Sequence, residues 1–430
     1  MSISVILFLL LFLILMIFKM PIAFAMLFSS FGFLIINHIS LSIFIERISS
    51  SLYSFPLLAV PFFILAAQIM NSAGITNRIF NFCIALFGNV KGGLAYVNVL
   101  ASMIFAGISG SAMADVAGLG SIEIKAMTDN GYDPAFSAAI TAATCTIGPV
   151  IPPSIIFILI GVMTEESVGR LFLGGFIPGV LMGLSIIVYI WIQILRGKIK
   201  IPISQKKSNY RKELKRTVKE GFLALLAPII ILGALILGIA TPTEVGVIAV
   251  MYAILLGIIY EELNFKKLFI ILRDAAYQTG VIMFIVASAN IFAWIIITER
   301  VAIIFYEYIL QFVSAEWAIL LIINIVLLII GCFIEGLAAI IITVPILLPV
   351  IKDMGISPVH FGVFLCINIM MGLITPPVGI AVYISADLAK VSVMDVFKEA
   401  MPFIIPLFII LLLVIFIPEL TMFLPNLIFK

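Results

Sequence analysis

Two stretches, 107–153 and 331–377, carry the same helix-breaking residues at one constant spacing. Gly107 pairs with Gly331, Asp129 with Asp353, Gly131 with Gly355 and Pro134 with Pro358. Gly148 pairs with Gly372, and Pro152–Pro153 with Pro376–Pro377, always 224 residues apart (331 − 107 = 224). Pro178 and Pro402 extend the series. Chance matches between apolar segments usually involve Leu, Ile and Ala. An ungapped register of Gly and Pro instead means one backbone plan used twice.

Composition says where that plan sits. The chain of 430 residues is 64% hydrophobic and 11% charged. Soluble domains carry about a quarter of their residues charged, so this is a polytopic membrane protein. A net charge of +2 gives no reason to expect nucleic acid. Cys83, Cys145, Cys332 and Cys366 form no CxxC pair and read as thiols buried in helices. His38 and His360 are too few and too distant in sequence for a metal site, and neither a Walker loop nor HExxH is present.

Residues 2–18 and 20–37 read as the first two spans, matched 224 later by 222–240 and 243–260. Ala23-Phe24-Ala25 resembles a cleavage site, but no basic residue precedes the apolar run, so a first membrane helix is expected. Leu41–Phe55, with Glu46, Arg47 and several Ser, suits an interfacial helix. Pro56–Met70 is apolar but interrupted by Pro61, and 79–87 is a further short piece. The matching region runs from Arg273 to about Phe312. Leu171–Leu195 closes the first copy as a long span.

Gly92 to Gly107 spans about 24 Å as a helix, short of the hydrocarbon thickness of about 30 Å. Ser109-Gly110-Ser111 follows, poor at continuing a helix. Residues 92–126 are therefore predicted as a re-entrant hairpin with its tip near Ser109–Ala112, Ala112–Ala126 returning. Its twin is 317–351, tip near Phe333–Gly336. Ala135–Ile147 is again too short, and the run from Gly148 to Pro153 breaks it before Ser154–Met163. The two broken helices are thus about 135–163 and 359–386, the second broken at Leu373–Pro377 and resumed from Val378. The fold expected is all-α: two inverted repeats, 1–195 and 222–430, with roughly ten to twelve crossings, two re-entrant hairpins and two broken helices. Between them, 196–221 holds ten basic residues (Arg196, Lys198, Lys200, Lys206, Lys207, Arg211, Lys212, Lys215, Arg216, Lys219) against Glu213 and Glu220. Such an excess in a short loop is cytoplasmic.

Unpaired backbone groups are costly in hydrocarbon unless something satisfies them. A tip facing a break gathers free carbonyls and hydroxyls at mid-membrane, an oxygen cage suited to Na⁺. The first Na⁺ site is expected at Ser109, Gly110 and Ser111 with Ile147, Gly148 and Pro149. The second is expected at Glu335 and Gly336 with Thr375, Pro376 and Gly379. Glu335 stands where the first copy has Ser111, and an intramembrane acid marks function by default. Half-helix N-termini nearby attract an anionic substrate, with Ser111, Asp115, Pro152, Pro153, Ser154 and Pro377 as candidate contacts. Glu123 and Lys125 are read as reaching the interface, and Glu244 after Thr241-Pro242-Thr243 as a helix-start carboxylate. No Arg or Lys stands at either break, which leaves selectivity to backbone and hydroxyl groups.

At these residues the chain resembles the large membrane subunit of tripartite ATP-independent periplasmic (TRAP) transporters. The matching pieces are Val60-Pro61-Phe62-Phe63, the SGSAMAD run 109–115, Gly131-Tyr132, Ile151–Ser154, Leu171-Phe172 with Gly174, Pro178-Gly179, and Leu373–Gly379. They cover nearly the whole chain. The resemblance implies an elevator-type, Na⁺-coupled importer in a bacterial inner membrane, with no cofactor beyond the coupling ion. It also implies two separate partners, a small membrane subunit and a periplasmic substrate-binding protein. The substrate class implied is an organic acid: a C4-dicarboxylate, sialic acid or another sugar acid. The family pattern has Asp where this chain has Glu335.

The alternative within transport is a stand-alone Na⁺- or H⁺-coupled carboxylate carrier, which this chain alone would sustain in liposomes. An enzyme would need a nucleophile–base pair, and no His lies near either tip in the sequence. A scaffold would gain nothing from broken helices. Inverted copies put Ser2 and Lys430 in the periplasm and 196–221 in the cytoplasm. Single cysteines at both ends should react with an impermeant reagent added outside; labelling confined to 196–221 contradicts that topology.

Overall fold

The computed structural model describes residues 2–88, 90–199, 210–310 and 315–429, and every regular element among them is helical. The first copy runs α1 (Ile3–Ile17), α2 (Ile22–Ile36), α3 (Leu41–Ser50), α4 (Ala59–Ser72), α5 (Ile75–Phe87) and α6 (Gly93–Ser109). It continues with α7 (Ala112–Ala117), α8 (Leu119–Asp129), α9 (Pro134–Cys145), α10 (Ile155–Thr164) and α11 (Val168–Leu195). The second copy runs α12 (Tyr210–Ile236), α13 (Pro242–Ile259), α14 (Phe265–Thr298), α15 (Val301–Leu310), α16 (Glu316–Phe333) and α17 (Gly336–Asp353). It ends with α18 (Pro358–Gly372), α19 (Ile380–Ala389), α20 (Val393–Phe416) and α21 (Glu419–Ile428). Eight helices among the described residues are long and apolar enough to cross a membrane, and others are short because they are broken.

The offset recurs in the helix ends. α6 ends at Ser109 and α16 at Phe333, α8 at Asp129 and α17 at Asp353, while α9 starts at Pro134 and α18 at Pro358. The local chemistry repeats as well. Gly131 and Gly355 take φ +84° and +70° in the turn after each hairpin, a conformation that only glycine adopts without cost. Asp133 and Ser357 then stand at the N-caps, each followed by proline at the first helical position. Both double-proline breaks carry a cis peptide bond.

The copies also differ. Gly118 (φ −82°, ψ −81°) divides the returning limb of the first hairpin into α7 and α8, where an unbroken return to Ala126 is expected from the sequence. The corresponding α17 is continuous. In the first copy α3 is a separate arm with no buried residue, held by Arg47 over the Trp294 ring at 5.6 Å. In the second the same region is fused into the 34-residue α14. Pro61 does not interrupt its segment. It sits in the first turn of α4, where its missing N–H has no helical partner to lose. Of the basic stretch, 210–221 forms the first turns of α12 rather than a loop, and 200–209 lies outside the described residues, as does Lys430.

The broken helices form the centre. Every residue from Val359 to Gly372 in α18 is buried, and nearly all of α9 is too. Each copy packs on the other there: α10 lies against α17, and α19 lies against α7, α8 and α9. All four cysteines are buried and free. His360 Nδ1 pairs with Thr421 Oγ1 at 2.8 Å, so this ring joins α18 to α21. Glu244 closes a capping box, accepting from Thr241 N at 2.7 Å while Thr241 Oγ1 accepts from Glu244 N.

α16 and α18 approach so closely that a Cβ on Gly372 would overlap the Gly331 backbone. Gly372→Ala should therefore cost about 1–3 kcal/mol as overpacking and lower the thermal unfolding midpoint. Gly280→Ala, with nothing within 4 Å of the new Cβ, should leave it unchanged or raise it. Equal midpoints for Gly372→Ala and the parent contradict the close crossing.

Candidate functional site

The first tip is built from three residues. α6 stops at Ser109, Gly110 turns the chain with φ +59°, and Ser111 is extended as the N-cap of α7. Ser111 Oγ accepts from Ala114 N at 3.4 Å. A Cβ on Gly110 would strike the Pro153 carbonyl oxygen and Ser154, so this tip rests on the backbone of the first break. Ser109 Oγ donates to Asp115 Oδ1 and accepts from Ser111 N at 3.4 Å. Asp115, 2% exposed, lies against Gly148, and its Oδ2 has no hydrogen-bond partner.

The structure thus gathers Ser109, Gly110 and Ser111 with Asp115, Gly148 and Pro149. Ile147 is buried, and its carbonyl accepts from Val150 N and Ile151 N at 3.0 Å, keeping the break wound. Ser154 is 0% exposed, and its hydroxyl donates to Pro149 O at 2.5 Å while accepting from Phe157 N at 3.2 Å. That hydroxyl holds the break together, and Pro152 and Pro153 are buried beside it.

The second tip uses different residues for the same task. Ile334 is extended and Glu335 is the N-cap of α17, its Oε2 accepting from Ala338 N at 3.2 Å. Ala338 is the 224-residue counterpart of Ala114, so the carboxylate and the Ser111 hydroxyl cap equivalent groups. An N-cap of this kind is worth about 0.5–2 kcal/mol. Gly336 sits against Met370 and Ile369, in the last turn of α18. Thr375 Oγ1 donates to Met371 O at 2.8 Å, and Ala381 N to Leu373 O at 3.1 Å, so the second break is closed internally. Gly379 is buried under Phe397, whereas Pro376 and Pro377 are exposed.

One cleft joins the tips. It is lined by Gly110–Met113, Pro149, Ile155 and Ile156 from the first copy, and by Glu335–Leu337, Met370 and Leu373 from the second. Thr375, Pro376, Pro377 and Gly379 do not line it. The first residues of α10 and α17 open onto it, bringing two helix N-termini to one place, and no lysine or arginine among the described residues lines it. The sequence did not single out its apolar wall, Met113, Ile155, Ile156, Met370 and Leu373, because such residues are indistinguishable from core.

Glu123 corrects an expectation. It does not reach the interface but is 1% exposed, accepting from Ser102 Oγ at 3.4 Å. Residues two apart on a helix point to opposite sides, so exposed Lys125 and buried Glu123 belong to different faces of α8. The available signal was a set of polar residues at helical spacing: Asn98 and Ser102 on α6, Thr141 and Thr144 on α9.

Half-helices and hairpin tips meeting inside a bundle of membrane spans define a membrane transporter. Residues 9–420 match the family model described as "Tripartite ATP-independent periplasmic transporter, DctM component". The chain belongs to that family and is a multi-pass inner-membrane protein. It is 40% identical over 411 residues to the sialic acid TRAP transporter large permease protein SiaM of Vibrio cholerae, covering 95% of each chain. It is 36% identical over 373 residues to the C4-dicarboxylate TRAP transporter large permease protein DctM of Pseudomonas aeruginosa, covering 86% of each. It is 35% identical over 403 residues to the 2,3-diketo-L-gulonate TRAP transporter large permease protein YiaN of Escherichia coli, covering 93% of this chain and 94% of that one. Among solved structures, the Alcanivorax borkumensis YdaH transporter shares the fold, with a TM-score of 0.64, 13% identity and 87% of each chain covered.

Proposed function

We propose that this chain is the transmembrane subunit of a Na⁺-coupled secondary importer of small organic acids, fed by a periplasmic binding protein and completed by a small membrane subunit. The observation that carries this reading is the meeting of both tips at one cleft, whose volume of about 30 Å³ suits an ion and must widen to admit an organic acid. Its two helix N-termini suit a carboxylate without an arginine clamp. A cation beside Glu335 and the tip backbone would offset the carboxylate's charge before an anion enters, since a lone charge at this depth is expensive. Relatives named for sialic acid, C4-dicarboxylates and 2,3-diketo-L-gulonate, at 35–40% identity, share one chemistry, a carboxylate on a small polar body. Substrate class is therefore proposed at that level.

In this reading Na⁺ is held by Ser109, Gly110, Ser111, Gly148 and Pro149 on one side and by Glu335 and Gly336 on the other. Asp115, with its unpartnered oxygen against Gly148, stands beside the first set. Uptake into proteoliposomes holding the chain with its partners should rise steeply with external Na⁺. Ser111→Ala removes one ligand and one cap, and should raise the half-saturating Na⁺ concentration roughly five- to thirty-fold, the equivalent of about 1–2 kcal/mol. An unchanged Na⁺ dependence in a correctly inserted Ser111→Ala chain removes Ser111 from the site. Uptake indifferent to Na⁺ in the parent rejects the coupling itself.

A further inference from the structure

We propose that Glu123 is a proton-binding site, a carboxyl group that holds one proton inside the first hairpin, cradled by Asn98, Ser102, Thr141 and Thr144. The site lies on α8, away from the cleft, which Glu123 does not line. Three helices build it. From α6 come Asn98 and Ser102, from α9 Thr141 and Thr144, and all four are between 0% and 3% exposed. Asn98 Nδ2 donates to Thr141 Oγ1 at 2.7 Å, Thr144 Oγ1 donates to Asn98 Oδ1 at 2.9 Å, and Ser102 Oγ lies 3.1 Å from Thr144 Oγ1. The carboxyl group meets this network through Ser102 and Thr141.

Among the described residues no ion pair balances the carboxyl group. Arg78 on the neighbouring α5 is turned away, its guanidinium 3.6 Å from the centre of the Tyr260 ring. Lys125 is on the exposed face of α8. Asp115 on α7, Cys83 on α5 and Cys145 on α9 interact electrostatically with Glu123, and none is basic. α19 also packs on α8, and its Tyr383 and Asp387 are exposed. A fully buried carboxylate without a positive partner is strongly disfavoured, and the usual resolution is neutralisation. A proton fits better than a metal ion. The hydroxyl and amide groups are already within 2.7–3.1 Å of one another, and a metal ion would have to part them. A proton needs no room: one O–H bond forms, and the neutral acid then donates to a neighbouring oxygen.

The second copy argues against a merely structural role. At the positions 224 residues later stand Ile322, Val326, Leu347, Leu365 and Asn368. Four of the five are apolar, and Asn368 instead donates to Asn324 O and Oδ1 at 2.9 and 2.8 Å, so the same hairpin folds without a buried carboxyl group at that position. A carboxyl group kept where leucine suffices is there for its chemistry. A carboxyl group held protonated in the packed hairpin but free to ionise once the chain unfolds contributes in full only below the ordinary glutamate range, about pH 4.3, and that contribution falls away as pH rises above it.

The test reads the proton rather than transport, so it does not depend on the proposed substrate or coupling ion. Infrared spectra of the full chain in lipid at neutral pH should contain the carbonyl stretch of a protonated carboxylic acid that Glu123→Gln removes. The thermal unfolding midpoint of the parent should fall as pH rises above about 5, and that decline should flatten in Glu123→Gln and in Glu123→Leu, the residue its counterpart carries. Should Glu123→Gln fail to fold, isotopically labelled glutamate in a Glu335→Gln chain still reports whether a protonated glutamic acid is present. The absence of any such band, or a decline with rising pH that survives both substitutions unchanged, overturns the proposal.

Discussion

Backbone hydrogen bonding in hydrocarbon governs this molecule. A chain that stops a helix within the membrane strands N–H and C=O groups, each costing several kcal/mol in lipid. Here the stranded groups are met locally. Ser111 and Glu335 cap the helices that leave each tip, Ser154 bridges Pro149 O to Phe157 N, and Thr375 bonds back to Met371 O. What lipid cannot touch is then buried: the broken helices are the centre of the bundle, wrapped by α11, α16 and α20. The two copies also cover each other's interruptions, α10 lying against α17 and α19 against α7, α8 and α9.

That pairing also makes the copies unequal. The first break is enclosed, with Pro152 and Pro153 buried and Asp115 against Gly148, while the second leaves Pro376 and Pro377 exposed. The first hairpin carries Asp115, Glu123 and the Asn98 network, where the second has alanine and leucine at the two acid positions and a single Asn324–Asn368 pair. The counterpart of Ser111 is a carboxylate. One backbone plan thus presents a hydroxyl from the first copy and a carboxylate from the second to the same cleft. If Na⁺ binds on both sides, the two ions meet different chemistry.

Much of this was legible in the sequence. The 224-residue register placed both tips to within a residue, because Gly131, Gly355, Pro134 and Pro358 act through local backbone geometry. Glu244 was readable as a cap for the same reason. Tertiary consequences were not. The sequence grouped each tip with its own break, whereas packing of α10 on α17 brings the tips to each other and leaves Thr375 and Gly379 aside. Glu123 misled because its surroundings are supplied by α6 and α9, about twenty residues away on either side, and a charge near a hairpin end reads as solvated until those helices are placed. At the Gly118 kink a Cβ would crowd Ala114 O and the Asn71 side chain, a contact that appears only once α4 is packed in place.

The central claim is that one cleft, faced by both tips, receives the substrate. Protection of single cysteines tests it most directly. In a chain freed of its four native cysteines, Ala112→Cys samples the first tip and Leu337→Cys the second. Both should be slowed in their reaction with a small impermeant thiol reagent when substrate and Na⁺ are added together. Protection at one tip alone, or at neither in a transport-competent chain, would contradict a shared site.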